Sequence, residues 1–246
     1  MSCSIKLKEV RLNFPLYANK DPNTKSLIID FLKRRKSKEN EKKYFLALDN
    51  INLEFNENEV IGLVGRNGAG KSTLIRVMSE IYKPNSGICE INGKVVTLMG
   101  MGVGFNANLD AIENIKVSGL IMGMDKDEIK ERTHSILEFA ELHDFSNLPI
   151  KYYSTGMKTR LGFSAATEIN PEILMLDEVF SGGDAHWLEK ANVRMRRIIN
   201  ESKIVVIVSH STGRIKDLCN RVVWLDKGKI KADGETNQIM DEYLKK

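Results

Sequence analysis

The chain has 246 residues, 42% hydrophobic and 28% charged, with a formal net charge of +4. These values are ordinary for a soluble globular protein of one large or two small domains, and the charge is too mild to argue for nucleic acid. No apolar run approaches the roughly 20 residues needed to span a bilayer, and "MSCSIKLKEV" lacks the apolar core of a signal peptide.

In chain order, "SIKLKEVRLNF" alternates apolar and polar residues and predicts an edge strand. A basic insertion over 18–43 precedes the next strand, "ALDNINLEF". "EVIGLVG" predicts a short apolar strand; Leu74, Ile75, Val77, Met78 and Ile81 then recur at helical spacing until "KPNSG" ends the helix. The strands "GICEINGK" and "KVVTLM" lead into a loop, "MGMGVGFNANLD". Residues from about 111 to 165 read as helices, with Asp125 as an N-cap and a break at "SNLPIKYYSTG". "EILMLDEVF" is a near-continuous apolar run, as buried parallel strands are. A helix ("AHWLEKANVRMRRIINES"), a strand ("KIVVIVSH"), a helix, the hairpin "RVVWLDKGKIKADGE" and a short final helix follow. Strands alternating with helices imply a three-layer α/β core. Cys3, Cys89 and Cys219 show no metal spacing and read as buried or incidental thiols in a reducing cytosol.

The chemistry begins between the strand and the helix at "GRNGAGKST", where Gly65, Gly68, Gly70, Lys71 and Ser72 fit G-x-x-x-x-G-K-[ST]. Backbone N–H groups can wrap a phosphate only where no Cβ blocks the approach and φ can turn positive, hence the glycines. The helix that follows points free N–H groups at the same phosphate. Lys71 reaches the β/γ-phosphates and the Ser72 hydroxyl can ligate Mg²⁺. Arg66, Asn67, Ala69 and Thr73 complete the predicted nucleotide-binding segment.

Downstream, "ILMLDE" ends in Asp177 and Glu178. A carboxylate at the tip of a strand beside the P-loop strand is placed to hold Mg²⁺, and the next residue can take a proton from the attacking water. The bland alternative is the polar start of a loop. Ser154 and Gly156 in "YYSTGMKTRLGFSAAT" open a helix whose N-terminus is another anion site or an ordinary cap. His210 ends the strand "KIVVIVSH", where a lone histidine is more often structural.

Taken in order, these segments resemble an ABC-transporter ATPase subunit over nearly the whole chain. "GRNGAGKS" matches Walker A and "ILMLDE" Walker B; "YSTGM" (Ser154, Thr155, Gly156, Met157) stands at the signature, "SGGD" ending in Asp184 at the D-loop, and "VSH" at the switch histidine. The chain looks most similar to ATPase subunits that export bacterial surface polysaccharide (O-antigen, capsule or teichoic acid), through "MGVGFNANLDAIENI", "KYYSTGMKTRLGFSAAT" and "LDEVFSGGDAHWLEKA", the last especially close to O-antigen exporters. Two departures stand out. Thr155 and Met157 replace the usual Gly and Gln, and the Q-loop glutamine is missing, since Gln238 is the only glutamine in the sequence. A GTPase is excluded because "NKDP", the one N-K-x-D lookalike, carries proline and lies upstream of the P-loop; "GMGVG" lacks the spacing and acidic residue of a dinucleotide site.

The resemblance implies an α/β P-loop NTPase fold of ABC type, with an antiparallel β subdomain and a helical subdomain at about 111–165, in a single domain over 1–246 without a C-terminal sugar-binding domain. It implies ATP with Mg²⁺ (Ser72, Asp177), a homodimer, and an integral-membrane permease present in two copies. Glu178 and His210 would be catalytic, across the dimer interface from Ser154–Met157 of the other subunit, with Asp184 in the D-loop. The adenine would stack on Phe14 or Tyr17, although an edge-strand core role for these is as good a reading. The implied substrate is a lipid-linked polysaccharide, O-antigen above all, exported from the cytoplasmic face of the inner membrane, where this subunit is peripheral, with no nucleic acid involved. A soluble ABC-type ATPase of translation or DNA maintenance is the alternative class. It is disfavoured by one ATPase unit per chain and by the absence of sustained heptads. In the insertion, Leu27, Ile28, Phe31 and Leu32 lead into Lys33–Lys43, with seven basic and two acidic side chains. That pattern suits an anionic membrane surface or a diphosphate head group, or a solvated loop. The loop from Met99 to Asn106 is expected to touch the permease.

Overall fold

The computed structural model describes residues 2–15, 44–98, 102–177, 184–209 and 211–245. The basic insertion with Tyr17 and Lys33–Lys36, the start of the loop at Met99, Glu178 and His210 lie outside these residues.

Two sheets form the framework. The first is antiparallel, in the order β2 (Tyr44–Asn56), β1 (Ser4–Pro15), β4 (Ser86–Asn92). β1 is therefore the central strand, not the edge strand its alternation predicted: Ser4 pairs with Asn56 on one side and Asn92 on the other. Alternation reports that one face is covered and the other wet, which holds for a central strand of a half-solvated antiparallel sheet as well as for an edge. Ile5, Leu7, Val10 and Leu12 are the buried side of β1.

The second sheet runs β5 (Val95–Leu98), β6 (Ile173–Asp177), β7 (Ile204–Val208), β3 (Glu59–Val64), β8 (Arg221–Asp226), β9 (Lys229–Glu235). Its strands are parallel except β9, which returns antiparallel from β8. Side chains alternate between faces along each strand. Ile173 and Met175, with Ile204, Val206 and Val208, meet the core that contains the antiparallel sheet and Leu74, Ile75 and Met78 of α1 (Lys71–Met78). Leu174 and Leu176, with Val205 and Ile207, meet the opposite core beneath α5 (Ala185–Glu201). Burial on both faces explains why β6 and β7 read as unbroken apolar runs. Ile81, predicted on the apolar face of α1, lies past its end and is exposed.

A group of helices joins β5 to β6: α2 (Ala111–Ile121), α3 (Lys126–Ala140) and α4 (Thr155–Ala166), with 3₁₀ turns at His143–Phe145 and Ile150–Tyr152 in the predicted break. Their starts are fixed locally. Asp110 and Asp125 each form a capping box, with Glu113 and Glu128 respectively, and Ser154 accepts from the Met157 N–H at 3.1 Å. Removing such a cap costs about 1 kcal/mol. α6 (Thr212–Leu218) and α7 (Thr236–Leu244) flank β8 and β9. Burial pushes the Cys219 thiol up to about 12 and Cys89 up to about 11, so both are inert thiols. Among the described residues no helix is long and apolar enough to cross a membrane.

Candidate nucleotide-binding site

The loop between β3 and α1 is held open by backbone geometry. At Gly65, φ is 150° and a Cβ would stand 2.3 Å from the Leu225 carbonyl oxygen, so only glycine lets the loop leave β3 alongside β8. Gly70 caps α1 at φ 105° with no side-chain cap, and a Cβ there would meet the Ala47 carbonyl oxygen at 2.9 Å. Uncapped N–H groups of a first turn are the donors that an anion satisfies. The turn between β8 and β9 braces the loop: the Gly228 N–H donates to the Ala69 carbonyl at 2.9 Å, and the Asp49 N–H to the Gly228 carbonyl at 2.8 Å.

Lys71 is buried, and its ammonium donates to the carbonyls of Gly65 at 2.6 Å and Arg66 at 3.2 Å. The ammonium is thus turned into the loop, where a bound phosphate would compete with these two carbonyls for its donors. A cavity of about 310 Å³ opens here, lined by Asn67, Gly68, Gly70, Lys71, Ser72 and Thr73, together with Phe45, Ala47, Asp177 and Val208.

Asp177 reaches this cavity by a route that the sequence misjudged. β6 is not beside the P-loop strand: β7 lies between them. Two strand spacings are roughly 10 Å, and Val208 at the end of the intervening β7 lines the same cavity as Ser72 and Asp177. A hydroxyl and a carboxylate are hard oxygen donors that suit Mg²⁺, which keeps several waters and completes its shell with substrate phosphates. Among the described residues no group of three or more His, Cys, Asp or Glu converges on a metal. The Ser72 hydroxyl and the Asp177 carboxylate, both lining the cavity, offer the oxygen donors that such a cation takes.

The other predicted residues stand elsewhere. Ser154, Thr155, Gly156 and Met157 open α4 and do not line the cavity. Beside Gly156 the nearest group to an added Cβ is Ser154 Oγ at 3.8 Å, so there is room for a side chain at this position. Asp184 caps α5, accepting from the Trp187 N–H at 3.0 Å. That hydrogen bond chiefly holds its carboxyl below the ordinary range, with the Arg160 and His186 charges contributing. Phe14 is half-buried and packs edge-on against Tyr82, ring centres 5.5 Å apart. Phe45, its partner across the β1–β2 pair, lines the cavity and is 51% exposed. The sequence reading passed over Phe45. The available signal was an aromatic two residues before Ala47, on a strand that passes the P-loop.

Residues 48–181, more than half of the chain, match the family model described as ABC transporter. The chain belongs to the ABC transporter family. It is 37% identical over 243 residues to "Teichoic acids export ATP-binding protein TagH" of Bacillus anthracis, covering 99% of this chain and 43% of that one. It is 34% identical to the protein of the same name from Staphylococcus haemolyticus, covering 99% and 89%. With "O-antigen export system ATP-binding protein RfbB" of Myxococcus xanthus it shares 37% identity over 80% of this chain and 45% of that one. The chain thus spans less than half the length of the first and third of these relatives. Among solved structures it matches the dimeric post-hydrolysis state of the ATP-binding cassette MJ0796 bound to ADP and Pi with a TM-score of 0.69 at 21% identity, over 94% of this chain and 98% of that one, a likeness of fold. The α/β architecture with an added antiparallel sheet and a helical group is that of an ABC ATPase domain.

Proposed function

We propose that this ABC transporter family chain is the ATP-binding and ATP-hydrolysing subunit of an exporter of lipid-linked surface polysaccharide. The observation that carries the reading is the single cavity in which Lys71, Ser72 and Asp177 converge, in a chain whose relatives are named for teichoic acid and O-antigen export. Polysaccharide export stands at the level of the class, since relatives named for both polymers share the same identity with this chain.

In this reading the backbone N–H groups of the P-loop and the Lys71 ammonium grip the β/γ-phosphates. Ser72 and Asp177 would hold Mg²⁺, which screens phosphate charge when bound. Phe45, rather than Phe14, offers its face to the base. Glu178 takes the proton from the attacking water and His210 contacts the γ-phosphate region. Ser154–Met157 and Asp184 face the same nucleotide from a second copy of the chain, a placement supported by their not lining the cavity of their own copy. Dimer closure then surrounds the γ-phosphate with donors where charge develops. A permease in the cell membrane receives this motion, with the ATPase at its cytoplasmic face.

The test pairs two variants of the purified chain. Lys71→Ala should lose nucleotide binding and hydrolysis together. Glu178→Gln should bind ATP, stop turnover and run as an ATP-dependent dimer in size-exclusion chromatography. Unchanged hydrolysis by Lys71→Ala would sink the ATPase reading. In cells, restoration of surface polysaccharide by Lys71→Ala in a strain lacking the gene would sink the export reading.

A further inference from the structure

Three helices meet where α3 ends, and one carboxylate ties them together. Glu141 follows α3 in the left-handed conformation at φ 59°, where helix ends ordinarily take glycine. A glutamate there is conformationally unfavourable, and such an outlier points to a use for the side chain. Its carboxylate accepts from Arg160 Nη1 of α4 at 2.9 Å and from Lys190 Nζ of α5 at 3.4 Å. Lys190 also donates to the Phe139 carbonyl at 3.3 Å and sits 4.7 Å from the centre of the Phe139 ring. Beneath this charged strap lies an apolar pivot. The fully buried Trp187 of α5 meets Phe163 of α4 and Phe139 of α3 edge-on, with ring centres 5.2 and 6.4 Å apart. Arg160 and Lys190 each lie within about two helical turns of an N-terminus, Ser154 on α4 and Asp184 on α5.

We propose that Glu141 is a positioning residue that couples α4 to α5, so that Ser154 and Asp184 are presented to the opposite subunit as one unit. The inference rests on the reading given above, in which those two N-termini face the nucleotide of a second copy. The side chains of Glu141, Arg160 and Lys190 are 42%, 19% and 36% exposed, and ion pairs that reach solvent contribute little to folding.

This separation of stability from function makes the test. Glu141→Gly relieves the left-handed backbone while cutting the strap. In the purified full chain its melting temperature should equal or exceed that of wild type, and nucleotide affinity should stay within about twofold, because the P-loop is untouched. Its kcat for ATP should fall roughly tenfold, the scale of a lost orientation. Arg160→Ala should fall likewise, and Glu141→Gly/Arg160→Ala should be no slower than the worse single variant, since both cut the same strap. Wild-type kcat in Glu141→Gly would overturn the proposal. So would a loss that tracks a drop in melting temperature or ATP affinity, or multiplicative effects in the double variant. Absence of hydrolysis by wild type itself would overturn instead the ATPase reading beneath, so the two failures are distinct.

Discussion

The cavity beside Lys71 is walled by backbone, whereas the junction of α3, α4 and α5 is walled by side chains. At the cavity, the Leu225 and Ala47 carbonyls press on positions that admit no Cβ, and main-chain N–H groups of the first turn of α1 are offered to a ligand beside the Lys71 ammonium. At the junction, Trp187, Phe139 and Phe163 fill the interior, while Glu168 accepts from Ser135 of α3 at 2.9 Å and is paired with Arg194 of α5. Backbone dipoles are fixed once the chain is folded, so the first region is rigid before any ligand arrives. The second region is held by long side chains reaching between helices, so its geometry depends on those pairs being made.

The largest test of that contrast lies at the junction. Trp187→Ala should cost about 3–5 kcal/mol in chemical unfolding, as loss of a buried aromatic does. Trp187→Phe should cost far less, because the indole N–H it removes has no hydrogen-bond partner among the described residues. Equal losses would show that the indole ring, not aromatic bulk, holds the pivot.

Within the cradle, Gly65→Ala should destabilise by about 3 kcal/mol or more, or abolish soluble yield, through overpacking against a carbonyl that cannot move aside. Gly68→Ala should cost only the left-handed conformation, about 1–2 kcal/mol, because at φ 78° an added Cβ meets nothing within 4 Å. Similar losses at the two positions would break the claim that backbone proximity shapes the loop.

A smaller effect separates the aromatics. Phe45→Ala should weaken ATP binding roughly five- to tenfold through lost stacking, measured by titration of a fluorescent analogue. Phe14→Ala should leave affinity unchanged and lower the melting temperature, because its ring packs on Tyr82. The reverse result would return the base to Phe14.

The smallest concerns Asp184. Its folded carboxyl is depressed, chiefly by the Trp187 N–H, so its contribution is complete at pH values above the unfolded value of about 3.9 and is lost as pH falls through the folded one. The melting temperature of Asp184→Asn should therefore sit below that of wild type at neutral pH and converge with it in strong acid. A gap independent of pH would remove the charge from the cap.

Much of the fold was legible because its signals are local. The period-2 burial of β1, the apolar runs of β6 and β7, and the caps Asp125 and Ser154 are written within a few residues of where they act. The P-loop was legible for the same reason: a loop that binds through its backbone must encode its shape in glycines. The place of β1 within its sheet and the insertion of β7 between β3 and β6 were not legible, because strand order depends on pairings between distant segments.

The sequence by itself determined the glycine-spaced loop over Gly65–Ser72, from which nucleotide binding is expected, and the acid at the end of an apolar strand, since spacing along the chain fixes both. Only the tertiary structure decided that Asp177 lines the same cavity as Ser72 across an intervening strand, that Phe45 and not Phe14 borders the cavity, and that Glu141 spans α4 and α5. Each of these brings together residues far apart in the chain, as two sheets and a helical group pack around apolar cores.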